Sequence, residues 1–241
     1  MSDLLQRSAA SAARYRVENT GDPHWDQVVL SIDGNTTITD KKGHSITPLG
    51  TAEVSTTQKM FGSGSIYFNS AGSRLSIPNS VDFNFGTGDF TTEGFVRPVN
   101  MGTNYGVLFC NWKDGGPAGL LILLPNSVDK HIYFQYSTDG SNYPWVRFPW
   151  NPVLDTWYHV AVLRRGTDVL AFVDGVQVGT LQSIGAVNIY HPSGTPVSIG
   201  GSDVGNCYGW NTSYQDDIRI TKGIARYTTN FTPPTRAFPR N

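Results

Sequence analysis

The chain has 241 residues, a formal net charge of −1 and 15% charged residues. So even a balance leaves no electrostatic footprint for nucleic acid or an anionic membrane, and no run approaches the roughly 18 apolar residues of a membrane-spanning helix. Frequent Gly and Pro, 26 and 14 of them, with abundant aromatics describe short strands joined by tight turns, in a chain long enough to bury roughly 70–75% of its unfolded surface as one large β domain.

In chain order, residues 2–14 have the composition of a short helix with Ser2 as its N-cap. About three turns need a partner to pack against. The segment is therefore either a frayed tail or an anchoring arm that docks through Leu4, Leu5, Arg7, Arg14 and Tyr15. Its apolar run is short and broken by Arg7, so it is not a secretory signal. That points to a cytoplasmic origin, or to export by cell lysis, and makes the three Asn-x-Ser/Thr sequons irrelevant. Residues 17–26 read as a linker, which divides the chain into an arm (1–26) and a β domain (27–241).

Strand-like runs follow at 27–32, 65–69, 74–78, 90–97, 105–112, 119–124, 131–136 and 145–148, with a short helical turn and Gly loop at 80–89. Along 90–97, Glu93 and Arg97 share a face and suggest an exposed ion pair. Residues 157–179 form a meander of three β-rich runs. Trp157, His159, Ala161 and Leu163 share one face, and Tyr158, Val160 and Val162 the other. Asp174-Gly175 between two valines is a type I′ hairpin signal. His159 is expected to be packed and hydrogen-bonded, while His24, His44, His131 and His191 read as surface residues. Runs at 197–199 and 214–221 precede a Pro-rich strap, PPTRAFP. Strands recurring this often predict an all-β fold, an antiparallel sandwich or jelly roll.

Three loop-rich stretches have the make-up of a sugar or protein contact, in which an aromatic face stacks on an apolar surface beside polar groups. They hold Trp112 and Asp114; Tyr143, Trp145, Arg147 and Trp150; and Tyr208, Trp210 and Asn211. Each tryptophan could equally fill core or interface space. Cys110 and Cys207 are expected as thiols in a reducing compartment, with a disulfide as the alternative. No Cys/His set has zinc spacing.

Several stretches together resemble one family: 29–34 (VLSIDG), 38–43 (ITDKKG), 61–68 (FGSGSIYF), 75–89 (LSIPNSVDFNFGTGD), 157–179 and 216–234 (DDIRITKGIARYTTNFTPP). They look like the laminin-G-like branch of the concanavalin-A-like lectin/glucanase superfamily, in a form similar to that of tailed-bacteriophage proteins. The resemblance covers about residues 27–239. It implies a jelly-roll sandwich of two curved sheets. It also implies a structural calcium in many members, whose positions here match Asp33, with Asn35 nearby, and Asp216 or Asp217. Neighbours on a strand point to opposite faces, so one of the last two would serve. The alternative is an Asp-Gly turn beside an edge-strand charge.

Glucanases of the superfamily set Glu and Asp close together on one strand. This chain has three glutamates, Glu18, Glu53 and Glu93, and none shares a strand face with a second carboxylate, so an enzyme is not expected. The expectation is a virion surface protein, capsid- or tail-associated, assembled in the host cytoplasm. It would attach to other virion proteins through its arm, form a symmetric oligomer and present a lectin-like sandwich. The alternative is a glycan-binding adhesin for a host-surface sugar, and the third reading is a glycoside hydrolase. Neither nucleic acid nor membrane insertion enters any of the three.

Overall fold

A computed structural model describes residues 21–202, 204 and 208–241. The arm residues Leu4, Leu5, Arg7, Arg14 and Tyr15, and Cys207, lie outside the described residues. The strands are β1 (Val28–Asp33), β2 (Thr39–Asp40), β3 (Thr47–Leu49), β4 (Glu53–Ser55), β5 (Ser65–Phe68), β6 (Arg74–Ile77), β7 (Phe90–Asn100), β8 (Gly106–Cys110), β9 (Leu120–Leu124), β10 (His131–Tyr136), β11 (Trp145–Pro149), β12 (Tyr158–Arg165), β13 (Asp168–Val173), β14 (Val176–Gln177), β15 (Gln182–Ser183), β16 (Val197–Gly200) and β17 (Thr212–Lys222). Helical structure among the described residues is limited to 3-10 turns at Trp25–Gln27 and Val81–Phe83. Ser80 caps the second by accepting from the Asp82 N–H.

Every strand pairing is antiparallel. One sheet runs β14-β13-β12-β7-β17-β1-β2, with β15, β4 and β5 off its path, and the other runs β11-β10-β9-β8-β16-β6-β3. Sequence neighbours often lie in different sheets, which is the jelly-roll connectivity expected. Alternation of side chains makes the core. Val160 and Val162 of β12, Ile218 and Ile220 of β17, and Leu30 and Ile32 of β1 point inward from the larger sheet. Leu120, Ile122 and Leu124 of β9, with Ile132 and Phe134 of β10, meet them from the smaller. The Asp174-Gly175 turn forms as expected, with positive φ of 47° and 76°, and it pairs Val173 with Val176.

The outer face of the larger sheet is not solvated. The strap after β17 lies across it, stacking Tyr227 and Phe231 over Ala161, Leu163 and Phe172. Here the Glu93–Arg97 reading is corrected. Glu93 is fully buried and binds Arg219, His159 and Tyr227, while Arg97 pairs with Asp155. The strap supplies what a strand-face pattern cannot show. His159 is packed and bonded as expected. His44 and His131, read as unpartnered surface residues, are instead bonded to Asp40 and Asp82 and to Asp129, carboxylates brought by fold or by near sequence. Residues read as a linker also dock: Asp22 is buried and pairs with Arg219 and Arg226.

Candidate functional site

The outer face of the smaller sheet carries a different chemistry. Strand register sets two rows across it. One is Arg147–Tyr133–Leu123–Val107. The other is Trp145–Gln135–Leu121–Cys110–Ser198–Ser76–Thr47. Directly opposed side chains on one face contact each other, so each row is a strip of neighbours. The middle strip, Val107, Cys110, Leu121 and Leu123, is covered by Val204, Tyr105 and Trp112. The strip on β10 and β11 is left open and aromatic.

On that open strip Trp145 is 50% exposed and packs edge-on against Tyr133, with ring centroids 5.2 Å apart. Arg147 lies over the Trp145 ring at 5.5 Å. Asp129 organises the rest. One of its oxygens accepts from the hydroxyls of Tyr105 (2.8 Å) and Tyr133 (2.6 Å), and the other lies 2.6 Å from His131 Nδ1. Burial pushes the Asp129 carboxyl up, but the bonds from Tyr133, His131 and Tyr105 outweigh it and hold it below its ordinary value. A fixed carboxylate thus sets the tilt of two phenol rings.

A second aromatic pair lies on loops beside the same sheet. Trp112 and Tyr143 have ring centroids 4.7 Å apart, and Tyr143 is 51% exposed. Both loops are held by their own side chains. The buried Asn111 amide oxygen accepts from the Leu120 N–H at 2.6 Å. Asp139 accepts from the N–H groups of Ser141 and Asn142, both at 2.8 Å. Next to Trp112 is a cavity of about 140 Å³ whose lining includes Arg74, Lys113, Ser76, Thr195 and Ser198. The arrangement offers flat apolar rings, hydroxyls and cations on a preformed surface, which is what stacking and hydrogen bonding to a polyhydroxylated ligand need.

Trp112, Tyr143 and Trp145 are therefore brought to one surface, as two aromatic pairs linked by Gln135, the register partner of Trp145, whose amide donates to the Tyr143 carbonyl at 3.4 Å. Asp114 is exposed on the turn following Trp112. Tyr208 is 42% exposed on the loop before β17. Trp210 is corrected: it is 1% exposed, its indole N–H donates to the Pro125 carbonyl at 2.6 Å, and it packs against Gly106. Asn211 bonds to Asn100, away from the aromatic strip. Sequence reasoning missed Tyr105, Asp129 and Tyr133; Arg147 it placed in the same stretch as Tyr143 and Trp145, and Trp150 of that stretch is buried instead. The alternation of HIYFQY, with Ile132, Phe134 and Tyr136 inward, is the signal that would have found Tyr133.

Asp33, Asn35, Asp216 and Asp217 do gather at one edge. Asp217 has a φ of 50° at an irregularity in β17, so the strict alternation that would part it from Asp216 fails there. The donor set does not fit a calcium ion. Asp216 accepts from the N–H groups of Met60, Phe61 and Asp217. Asp217 accepts from the Phe238 N–H at 2.5 Å and from the Arg240 guanidinium. Arg240 also faces Asp33 at 3.6 Å, and Asn35 bonds to Ser63. Calcium needs six to eight oxygens turned toward it, and here N–H groups and a guanidinium are turned toward the oxygens.

No curated protein matches the chain. Solved structures do, at the level of fold. A structure reported with the finding that cell entry of botulinum neurotoxin type C depends on interaction with two ganglioside molecules matches with a TM-score of 0.60 at 12% identity. The binding domain of botulinum neurotoxin DC, solved in complex with rat synaptotagmin II, matches at 0.61 and 11%, and that of serotype D at 0.62 and 12%. Each match covers 83% of this chain and 49% of the other, so the chain spans about half the length of these structures. The model of the laminin-G family of the concanavalin A-like lectin/glucanases superfamily matches residues 69–223, and with its two antiparallel sheets this chain belongs to that family.

Proposed function

We propose that the protein is a non-catalytic recognition module that binds a glycan on the outer face of the smaller sheet. The single observation that carries this reading is the open aromatic strip, Tyr133 and Trp145 on strands with Trp112 and Tyr143 beside them, held by buried or bonded polar groups. A surface prepared in this way binds with little ordering cost. Asp129 spends its oxygens on Tyr105, Tyr133 and His131, the role of a positioning group rather than of one half of a hydrolytic carboxylate pair. The ganglioside dependence reported for the type C neurotoxin supports the reading as a likeness of fold. The test is binding of the full chain to an immobilised panel of glycans, with Trp145→Ala alongside. Binding lost in the variant with an unchanged melting temperature is the expected result, and equal binding by both overturns the site.

The setting that goes with this reading is a virion surface, with an N-terminal arm attaching an oligomer to capsid or tail. It is supported by the similarity of DDIRIT and the ARYT-NFTPP tail to phage proteins. Deletion of residues 1–20 should abolish particle incorporation while the sandwich stays folded. A truncated chain that incorporates as well as the full one refutes the arm.

A further inference from the structure

The strap encloses a cavity of about 370 Å³ over the larger sheet, away from the aromatic strip of the smaller one. Its floor is the ion cluster of Asp22, Arg219 and Arg226, its walls include Pro233, Pro234 and Pro239, and Arg236 also lines it. The floor side chains are almost wholly buried, so a ligand meets their charge with little screening by water. The Phe238 ring lies 3.8 Å from the Arg219 guanidinium and holds it in place.

The bonds already made on the floor decide what it can take. One Asp22 oxygen accepts from the His24 N–H at 2.9 Å and from Arg226 Nη1 at 3.0 Å. The other accepts from Arg219 Nη1 at 2.7 Å and from Arg226 Nη2 at 2.8 Å. A carboxylate oxygen has about two acceptor sites, so Asp22 has none left for a ligand donor. The guanidiniums differ. Each has five N–H groups, of which Arg219 uses two on Glu93 and one on Asp22, and Arg226 two on Asp22 and one on Thr221. Two remain on each. Arg236 is exposed and makes no ion pair among the described residues. Three arginines thus stand against two carboxylates, Asp22 and Glu93, which leaves one positive charge in excess.

We propose that this cavity is a second binding site, separate from the glycan surface, for an organic carboxylate: one anionic group carried on a small apolar body. The remaining N–H groups of Arg219 and Arg226, with the Arg236 guanidinium, bind the carboxylate, whose planar geometry a guanidinium matches. A cation is repelled there, and a neutral donor finds no acceptor on the floor. The proline walls take the apolar body, and the volume lies in the range of small-molecule sites. The floor belongs to the start of the domain and to β17, the walls to the strap. A bound carboxylate therefore ties the strap to the sheet it crosses. A free small acid and a glutamate side chain of a peptide carry the same group.

The experiment titrates the full chain calorimetrically with benzoate, with benzamide, with inorganic phosphate and with a blocked alanine peptide holding one central glutamate. Wild type should bind benzoate or the peptide, and the tighter of the two identifies the source of the carboxylate. Benzamide, which has the same shape without the charge, should bind at least about tenfold more weakly. Arg236→Ala removes an exposed side chain with no ion pair to lose, so it should stay folded and bind the carboxylate about tenfold more weakly. Trp145→Ala should bind it as wild type does, which separates this site from the glycan surface. Failure of both benzoate and the peptide to bind wild type overturns the proposal. So does equal binding by Arg236→Ala, or benzamide or phosphate binding as tightly as benzoate.

Discussion

Glu93 and Arg219 are register partners on β7 and β17, and one Glu93 oxygen accepts from both Nε and Nη2 of Arg219, at 3.0 and 2.8 Å. The other oxygen takes the Tyr227 hydroxyl at 2.7 Å and faces His159 Nε2 at 3.1 Å. This buried knot joins both central strands of the larger sheet to the strap. Burial pushes the Glu93 carboxyl up, but the charge of Arg219 and the bond from His159 bring it down from 4.5 to about 2. Burial, and then the same carboxylate, drive the Tyr227 hydroxyl well above its ordinary value.

Glu93→Ala should therefore destabilise the fold by about 3–5 kcal/mol, because it leaves Arg219 buried beside a missing partner. The pH dependence has a definite sign. A carboxylate lowered on folding contributes stability above its unfolded value, lost as pH falls through the folded one. For Glu93 the window runs from 4.5 down to about 2, with about 3 kcal/mol at stake. Denaturant melts of wild type and Glu93→Gln across that range should show the loss in wild type and a flatter curve in the variant. Parallel curves contradict the assignment.

Asp129→Ala addresses the glycan surface without touching its rings. It leaves the hydroxyls of Tyr105 and Tyr133 without their shared acceptor. Affinity for whichever sugar the wild type selects should fall about tenfold, equivalent to one lost hydrogen bond's worth of preorganisation. An affinity equal to wild type shows that the tilt of Tyr133 is irrelevant.

Trp210 makes the opposite prediction. It fills core space and donates to Pro125, so Trp210→Ala should cost about 3–5 kcal/mol in unfolding free energy. Where the variant remains folded, sugar affinity should be unchanged. A binding defect without loss of stability returns Trp210 to the site.

Gly175 tests the strap. A Cβ there would strike the Phe231 carbonyl, whose residue's N–H bonds back to the Gly175 oxygen at 2.9 Å. The φ of 76° also disfavours any side chain. Gly175→Val should loosen the strap from Phe172 and speed tryptic cleavage after Arg226 severalfold, with a loss of more than 1 kcal/mol. Unaltered cleavage separates the hairpin turn from strap docking.

Much of the fold was legible because strand alternation and turn chemistry are local. The valines of β12, the Asp174-Gly175 turn and the inward residues of β9 and β10 declare themselves at spacings of one or two residues. The candidate site was half legible. Trp112, Tyr143 and Trp145 stood out by residue type, but Trp210 has the same type and lies in the core, because Gly106 leaves room for its ring and Pro125 offers an acceptor. Nothing within ten residues of Trp210 reports either partner.

Local chemistry in the chain was thus enough to specify strands, turns and which faces are apolar. Only tertiary structure decided which charges meet. Glu93 finds Arg219 instead of Arg97, and Asp217 finds Arg240 from the far end of the strap. Asp129 gathers Tyr105 and Tyr133 across three strands. The physical reason is that a side chain's partner depends on register and on what crosses above it. Both are properties of segments more than a hundred residues apart at Glu93 and Arg219, and no local pattern encodes them.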